Sequence, residues 1–335
     1  MTKVTWGVLS TAKIGLDRVI APMQMAPNLT IDAIASRDLA KAQAAAKQFG
    51  IARAYASYEE LLADKAIEAI YIPVPNHLHV EWAERAAAAG KHVLVEKPLA
   101  MDANEASRLI AARDKSGKVI VEGFMVRYAS LWTGIRKLLA EGRIGDVQGL
   151  QAHATYANLD PQNIRNKMET GGGAMMDIGC YVILFSRMIF GTEPKRVVSL
   201  IDRDPAMKTD RRNSLILDFP NGQASLFIST QLARAQRLRI FGTKGSLEVD
   251  IPINIPDDRP MRVRIDDGRD SFGSGVETIE FPAANFFTQQ GEAVSRAIRG
   301  EIPVEMTLED SVANMRVIDA AVRSGQSGAW ESIGR

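Results

Sequence analysis

The first third of the chain alternates short apolar runs with alanine-rich helical stretches. The apolar runs are VTWGVLS, LTIDAIAS, AIEAIYIPV, KHVLVEK and KVIVEG, and the stretches between them include LAKAQAAAKQFG and VEWAERAAAAGK. Strands that are apolar on both faces and separated by helices indicate right-handed crossovers between parallel strands. Residues 1–124 are therefore predicted to form an α/β domain with a doubly wound parallel sheet.

The hydrophobic period changes to two after about residue 145. Two hairpins are predicted, one in NSLILDFPNGQASLFIS around a Pro-Asn-Gly turn and one in LRIFGTKGSLEVD. Met261, Val263 and Ile265 alternate with charged residues, as in a half-exposed strand. Helical patterns follow at 286–299 and 309–324. Residues 125–335 are therefore predicted to form an α+β domain with an open, mostly antiparallel sheet, and the boundary is placed near 123–130.

Composition narrows the range of partners. A chain of 335 residues suits two domains. Its 41 basic and 40 acidic side chains give a net charge of +1 without runs of like charge, which argues against nucleic acid and membrane surfaces as partners. The single cysteine, Cys180, fits a reducing compartment. With no secretory stretch in MTKVTWGVLS and no run of about 18 apolar residues, we expect a cytoplasmic protein.

The first strand leads into a candidate phosphate-binding turn. Ligands of open parallel sheets bind beyond the carboxyl ends of the strands. Against the dinucleotide fingerprint G-x-G-x-x-G, this turn has Ser10, Ala12 and Gly15 at the glycine positions, with Thr11 and Ile14 between them. An ordinary strand-to-helix turn is the alternative. The preceding strand and the following helix start favour a turn that binds the phosphates of NAD or NADP, because helix N-termini attract anions.

The residues at the end of the second strand are candidates for binding the adenosine ribose of the cofactor. Arg37, helped by Ser36 and by Lys41 one turn later, would pair with a 2′-phosphate, which predicts NADP. Asp38 offers the competing interpretations: its carboxylate would accept from the ribose hydroxyl of NAD, or it would cap the helix LAKAQAAAKQF. NADP is the predicted cofactor, and NAD stays open.

Two further strand ends carry candidate residues. The loop after Ile72 contains three predicted cofactor-binding residues: Pro75, which keeps the loop stiff, and Asn76 and His79, which are predicted to face the nicotinamide. The alternative for His79 is a hydrogen-bonded histidine within the first turn of the next helix.

The next strand ends in Glu96-Lys97-Pro98. A lysine directly after a buried strand places its ammonium near the predicted position of hydride transfer. Lysine is also seldom buried without a partner. The alternative is a surface Glu-Lys pair in a loop. Lys97-Pro98 is a candidate cis peptide.

The stretch GGGAMMDIGCY at 171–181 begins with three conformationally flexible glycines and continues with two polar residues that are one helical turn apart. Asp177 and Tyr181 are predicted to point the same way. Tyr181 would take the hydroxyl proton during oxidation of an alcohol if the Lys97 ammonium lowers its pKa, and Asp177 would hold a second hydroxyl. The alternative is an amphipathic helix in which Tyr181 packs with Phe185 and Asp177 acts as a cap.

These motifs together resemble the superfamily of glucose-fructose oxidoreductase and inositol dehydrogenase. The resemblance runs along the whole chain and rests on the nucleotide loop, on P-x-P-N-x-x-H at 73–79, on Glu96-Lys97-Pro98 and on G-G-G-x-x-x-D-x-G-x-Y. Many members carry histidine at the position of Tyr181. Tyrosine there, with EGFMVRY at 122–128 and Asn163-Ile-Arg165, is similar to the branch of dimeric dihydrodiol dehydrogenase and NADP-dependent xylose dehydrogenase. Ser10 and Ala12 depart from the family's glycines.

The resemblance implies a Rossmann-type dinucleotide-binding domain, followed by a substrate domain whose open sheet forms a homodimer or homotetramer. It implies Lys97 and Tyr181 as the catalytic pair and Asp177 as a substrate ligand, and Arg165 is a further candidate. The predicted function is an NADP(H)-dependent oxidoreductase acting on an aldose or related polyol. The alternatives are a trans-dihydrodiol dehydrogenase, a reductase of dicarbonyls or anhydro sugars, and a non-catalytic NADP(H) or sugar sensor. No metal site is predicted, because His77 and His79 lack a carboxylate cluster.

Overall fold

The computed structural model describes residues 2–334 and divides into two compact units. The first unit comprises Met1–Ala129 with Asn285–Val312, and the second comprises Ser130–Ala284 with Ala313–Arg335. The predicted division was continuous, with everything beyond residue 124 in the second domain. In the structure a late helix, Phe286–Ile298, belongs to the first unit, where Ser295 Oγ accepts from the indole of Trp6 at 3.1 Å.

The first unit contains a six-stranded, all-parallel sheet. Its strands are Val4–Leu9 (β1), Leu29–Ala35 (β2), Arg53–Tyr55 (β3), Ala69–Ile72 (β4), His92–Val95 (β5) and Ile120–Glu122 (β6). They lie in the order β3-β2-β1-β4-β5-β6, so the sheet reverses its direction of winding between β1 and β4. The doubly wound fold is confirmed. The sequence pattern missed β3, which is short and only half-buried.

Within residues 2–129 the first unit has five α-helices, and three of them have capping residues at their ends. The five are Ile20–Gln24 (α1), Leu39–Phe49 (α2), Tyr58–Ala63 (α3), His79–Ala88 (α4) and Ala103–Ser116 (α5). Side chains of Asp38, Ser57 and Asp102 accept backbone N–H groups at three N-termini. Gly50 and Gly117 end α2 and α5 with left-handed backbone angles, which glycine adopts without steric cost. Local sequence therefore accounts for these five helix ends.

The second unit contains a nine-stranded sheet. Its strands are Val147–Ala157 (β7), Arg196–Arg203 (β8), Asp210–Phe219 (β9), Gly222–Ser229 (β10), Gln231–Gly242 (β11), Gly245–Val249 (β12), Met261–Asp266 (β13), Val276–Phe281 (β14) and Glu331–Ser332 (β15). All neighbours are antiparallel except β7 and β10. Both predicted hairpins are confirmed, since Phe219 pairs with Gly222 and Gly242 with Gly245.

The remaining helices are Ser130–Ala140 (α6), Cys180–Phe190 (α7), Phe286–Ile298 (α8) and Leu308–Ser327 (α9). In α7 every residue except Met188 is buried. Among residues 2–334, one segment, Met168–Phe190, has the length and mean hydropathy of a membrane span, although the charged residues Asp177 and Arg187 interrupt its apolar positions. Of its most apolar window, 83% is buried within the protein, as in the core helix of a globular domain.

Candidate active site

The turn after β1 keeps the backbone shape of a glycine-rich loop although a serine occupies its first position. Ser10 has a φ of 145°, in the region that favours glycine. Its hydroxyl donates to Pro73 O at 3.3 Å and accepts from Ala12 N at 3.2 Å. A Cβ at Gly15 would lie 3.6 Å from Pro73, an ordinary contact. The loop residues thus satisfy one another's hydrogen-bonding groups and fix the shape of the turn.

A chain of hydroxyl contacts joins this turn to the end of β2. Thr11 Oγ1 donates to Ser36 Oγ at 3.3 Å, and Ser36 Oγ also accepts from the N–H of Asp38. Asp38 in turn accepts from the N–H of Lys41 at 3.3 Å. The N-cap interpretation of Asp38 is therefore confirmed. Ile14 precedes a π-helical turn at Gly15–Val19, and such turns are frequent at functional sites.

The side chain of Arg37, the candidate for the 2′-phosphate, has a neighbour that the sequence reasoning missed. Arg37 is exposed, and its guanidinium lies near the Tyr58 hydroxyl. Burial raises the pKa of Tyr58, and the nearby Arg37 charge opposes this rise. The Tyr58 ring meets Trp82 edge-on at 4.9 Å, and Arg85 lies 4.5 Å from the Trp82 ring. Tyr58 is therefore a polar neighbour of Arg37 with a well-packed ring.

The loop after β4 places His79 in the interior. Leu78 N donates to Pro75 O across a 3-10 turn that starts at Asn76. The His79 ring is fully buried, with Nδ1 2.8 Å from Pro98 O and Nε2 2.8 Å from Val74 O. Burial lowers the pKa of His79 to about 4, against the opposing effect of the two carbonyls.

These contacts of His79 support the hydrogen-bonded histidine rather than a direct cofactor contact. The ring offers no exposed surface, and both nitrogens already face backbone oxygens. The predicted contact of His79 with the cofactor is therefore not what the geometry provides. Pro75 and Asn76 remain half-buried in the same loop and stay candidates.

The loop after β5 is held by buried side chains on both sides of Lys97. Glu96 accepts from the Tyr71 hydroxyl at 2.7 Å, and Lys97 N donates to Glu96 at 3.3 Å. The Lys97-Pro98 peptide bond is cis, as predicted. In the next peptide, Pro98 O lies against His79, and Leu99 N donates to Glu122 Oε1 at 2.7 Å. Glu122 escaped the sequence reasoning, because its strand reads simply as an apolar run.

The glycines at 171–173 lie close to neighbouring backbone and side-chain atoms. Gly172 N donates to Lys167 O, and Gly173 N donates to Arg165 O. A Cβ at Gly172 would lie 2.5 Å from Arg165 O, and one at Gly173 would lie 1.9 Å from Asp210 Oδ1. Gly173 also has a φ of 119°. Larger side chains would collide there, so the close approach explains the glycines.

The helix after the glycines begins as a π-helical turn, Met175–Gly179, and becomes α-helical at Cys180. Asp177 lies in the π turn and carries two neighbours, since its carboxylate accepts from the Tyr156 hydroxyl and from Arg165 Nε at 3.1 Å. Burial, followed by the Asp177 charge, raises the pKa of Tyr156. The structure thus brings the two predicted substrate residues together and adds Tyr156, which the alternation of QAHATYA in β7 only hinted at.

Tyr181 lies one helical turn later, with 4% of its surface exposed. Its ring centroid is 6.5 Å from that of Phe185, so the packing contact of the alternative interpretation exists. Lys97 belongs to the first unit and Tyr181 to the second. The pairing of these two residues stays a prediction.

Comparison with known proteins identifies the family. A profile described as "Oxidoreductase family, NAD-binding Rossmann fold" matches residues 4–124, and one described as "GFO/IDH/MocA C-terminal domain" matches residues 132–248. The chain belongs to the GFO/IDH/MocA oxidoreductase family. The predicted resemblance is thereby confirmed. The protein is an oxidoreductase, and its first unit is a Rossmann domain that binds a nicotinamide dinucleotide.

Several GFO/IDH/MocA relatives are similar along their whole length. "Uncharacterized oxidoreductase ORF334" of Rhizobium meliloti is 46% identical, covering 99% of this chain and 100% of its own. "D-xylose 1-dehydrogenase (NADP(+)) 2" of Haloferax volcanii is 35% identical, covering 97% and 98%. A crystal structure of KijD10, a 3-ketoreductase from Actinomadura kijaniata with NADP and TDP-benzene, has a TM-score of 0.89 at 28% identity, covering 96% and 98%. KijD10 has also been crystallised with a lysine or a tyrosine substituted.

Proposed function

We propose that this GFO/IDH/MocA enzyme transfers a hydride between NADP(H) and an aldose or related polyol. The observation that carries the proposal is the cluster of Asp177, Arg165 and Tyr156 at the start of the glycine-led helix, one turn before Tyr181. Carboxylate, guanidinium and phenol groups together donate to and accept from neighbouring hydroxyls. A polyhydroxylated substrate matches this set better than an apolar one.

The charges of the cluster support a neutral substrate. Arg165 lies against Asp177, so the positive guanidinium is compensated by the carboxylate. Binding of a phosphate or a sugar acid favours an uncompensated cation that makes charge-assisted hydrogen bonds. A neutral sugar needs no such charge. We therefore favour an aldose over a sugar phosphate or a uronic acid.

In the proposed mechanism Tyr181 is the general acid/base and Lys97 assists it. When bound, the nicotinamide supplies the hydride acceptor or donor. Tyr181 takes the proton from the hydroxyl of the reacting carbon during oxidation and returns it during reduction. The Lys97 ammonium lowers the pKa of Tyr181 and donates to the substrate oxygen. The lysine and tyrosine substituted in KijD10 have the same separation along the chain as Lys97 and Tyr181, which supports this assignment.

The residues that surround the predicted 2′-phosphate position support NADP over NAD. Arg37 supplies the guanidinium, Ser36 a hydroxyl and Lys41 a second cation one turn later. The xylose dehydrogenase relative bears NADP(+) in its name, and KijD10 was crystallised with NADP. A guanidinium pairs with a phosphate through two parallel hydrogen bonds, whereas a ribose hydroxyl prefers a carboxylate.

Tyr58→Phe is expected to weaken NADP binding by about 3- to 10-fold while leaving NAD binding nearly unchanged, because the substitution removes the hydroxyl that lies near the Arg37 guanidinium. Fluorescence titration of both nucleotides measures the ratio. Tyr55→Phe is the matched control, since the Tyr55 hydroxyl donates to Asp64 and not to Arg37. An equal loss for NADP and NAD in Tyr58→Phe would contradict the assigned role.

The outer face of the second unit's sheet supports a homodimer or homotetramer. Val198 pairs with Ile216 in neighbouring strands and Leu200 with Ser214, so the four share one face. Leu200 is 76% exposed and Ile216 43% exposed. Contiguous exposed apolar surface of this kind marks interaction sites. We propose self-association through this face, and sedimentation showing a monomer at micromolar concentration would exclude it. The cytoplasmic location stays a prediction.

The proposed function is tested by steady-state assays with NADP⁺ and NAD⁺ over a panel of aldoses, inositols, trans-dihydrodiols, dicarbonyls and anhydro sugars. We expect turnover of at least one aldose or polyol, with NADP⁺ preferred. Turnover of only dihydrodiols or dicarbonyls would replace the substrate class with the rival one. Tight NADP binding without turnover of any compound would favour a sensor.

A further inference from the structure

We propose that Asp210 is a positioning residue of the active site, a buried carboxylate on which the glycine-led segment rests and through which Asp177 and Tyr181 keep their places. This inference rests on the proposed function, because it assigns significance to the site that those two residues form. Asp210 belongs to β9 and is distant from the glycines in sequence, so no local motif announces it.

The Asp210 carboxylate contacts the segment from two sides. Oδ2 accepts from Met175 N at 2.7 Å and also from the side-chain amide of Asn213. Oδ1 occupies the space next to Gly173, where a Cβ would lie only 1.9 Å away. The carboxylate therefore fills the gap that the missing side chain leaves. One interaction holds the helix start, and the other limits the path of the glycines.

A carboxylate suits this place for electrostatic reasons. The first N–H groups of a helical segment have no partner within the helix and carry partial positive charge. Asp210 supplies an acceptor to one of them while it is itself more than nine-tenths buried. Burying a carboxylate without hydrogen-bond partners would lower the stability of the fold. The Asp210 carboxylate therefore needs the Met175 N–H as a donor, and the Met175 N–H needs the carboxylate as an acceptor. Burial raises the pKa of Asp210, and the bonds from Asn213 and Met175 oppose this rise.

The contact is close enough along the chain to affect the chemistry. Met175 precedes Asp177 by two residues and lies in the same π-helical turn. Asp177 N donates to Gly173 O at 3.1 Å. Gly173, which lies beside the Asp210 carboxylate, is therefore also hydrogen-bonded to Asp177, the candidate substrate ligand. A shift of about 1 Å at a reacting group can cost roughly 100-fold in rate. Loss of the support under Met175 would allow a shift of that kind.

Asp204 provides a matched control. Asp204 directly follows β8 and begins the turn that leads to Asp210 at the start of β9, and it is also buried. Its carboxylate accepts from the N–H groups of Ala206 and Met207 at 2.8 Å and from the Gln231 amide at 2.9 Å. Asp204 thus stabilises its own loop and β11, and within the described residues its carboxylate makes no hydrogen bond to the glycine-led segment. Both aspartates contribute to stability, and only Asp210 contacts the segment that carries Asp177.

The experiment compares Asp210→Asn and Asp210→Ala with Asp204→Asn and Asp204→Ala in the full-length protein. Thermal stability, NADP affinity, kcat and KM are measured for the substrate from the panel, together with hydrogen exchange of residues 171–181. We expect Asp210→Ala to lower kcat/KM by about 30- to 100-fold with NADP affinity nearly unchanged, and to speed exchange in the segment by about 10-fold. Asp210→Asn, which keeps an acceptor for Met175 N–H, should fall between Asp210→Ala and the wild type.

The Asp204 variants are expected to lose thermal stability with kcat/KM within about threefold of wild type, since Asp204 bonds its own loop and Gln231 rather than the segment that carries Asp177. Equal losses of kcat/KM in both pairs, in proportion to stability, would overturn the inference. If Asp210→Ala fails to fold, Asp210→Asn and Asn213→Ala still decide through exchange at 171–181. Unchanged exchange there refutes the positioning role. Turnover that survives Tyr181→Phe would instead refute the proposed mechanism, so the two failures are distinguishable.

Discussion

Tyr181→Phe is expected to lower kcat by about 100- to 10,000-fold while NADP affinity stays nearly unchanged. The substitution removes one oxygen from the buried ring and leaves the packing with Phe185 in place. If Tyr181 is the general acid/base, no other group in the mechanism accepts the hydroxyl proton. Steady-state and pre-steady-state assays with the substrate from the panel measure the effect.

The control for this substitution is Tyr128→Phe. Tyr128 is half-buried, and its buried hydroxyl oxygen has no hydrogen-bond partner among the residues that the structure describes. Removing that hydroxyl is expected to leave kcat nearly unchanged. A loss of kcat in Tyr128→Phe as large as that in Tyr181→Phe would show that both act through folding. Full activity of Tyr181→Phe would remove this residue from the mechanism.

Lys97→Met tests the other member of the same pair. Oxidation requires the deprotonated phenol, so activity rises with pH through the pKa of Tyr181. Loss of the ammonium removes a charge that favours the phenolate, and the rising limb of kcat/KM should move to higher pH. Lys91→Met is the matched control, because Lys91 precedes β5 and its ammonium donates to Asp64 O and Ile67 O. That variant should lose stability and keep its pH profile.

Local patterns predicted the secondary structure because they reflect local physics. The period-two stretch Met261–Asp266 became β13, with its apolar residues inward. The Pro-Asn-Gly turn became the link between β9 and β10. The strand ends that carry Ser10 and Lys97 were found because parallel strands end at one edge of their sheet. In each case neighbours in the sequence supplied the information.

The residues that escaped prediction act over long distances in the sequence. Glu122 accepts from the N–H of Leu99, Asp210 accepts from that of Met175, and Tyr58 lies near Arg37. None of these pairs has a spacing that a helix or strand would impose, so the sequence pattern contains no trace of them. The assignment of α8 to the first unit has the same origin, since it depends on contacts such as that of Trp6 with Ser295.

Histidine burial makes the first unit sensitive to mild acid. Burial lowers the pKa of His79 and of His92 to about 4 from the ordinary 6.5. For His92 the structure agrees, because Nδ1 accepts from Val119 N at 3.0 Å and must therefore be unprotonated. In the unfolded chain both rings bind a proton below pH 6.5. Between pH 6.5 and 4 the unfolded state thus holds more protons than the folded one, and stability decreases as the pH falls.

We expect the free energy of unfolding to fall by about 1.4 to 2.7 kcal/mol per pH unit near pH 5, which corresponds to one or two protons, the smaller share coming from the partly exposed His92. Urea unfolding at pH 7.5, 6.5, 5.5 and 4.5 measures this slope. His92→Asn should reduce it, because the amide oxygen still accepts from Val119 N–H and does not titrate. His153→Gln should reduce the slope as well, because burial also lowers the pKa of that ring, which lies on β7 in the second unit. A free energy of unfolding that stays constant from pH 6.5 to 4.5 would mean that both histidines are protonated in the folded protein, and the carbonyls of Val74 and Pro98 would then each accept an N–H of a charged His79.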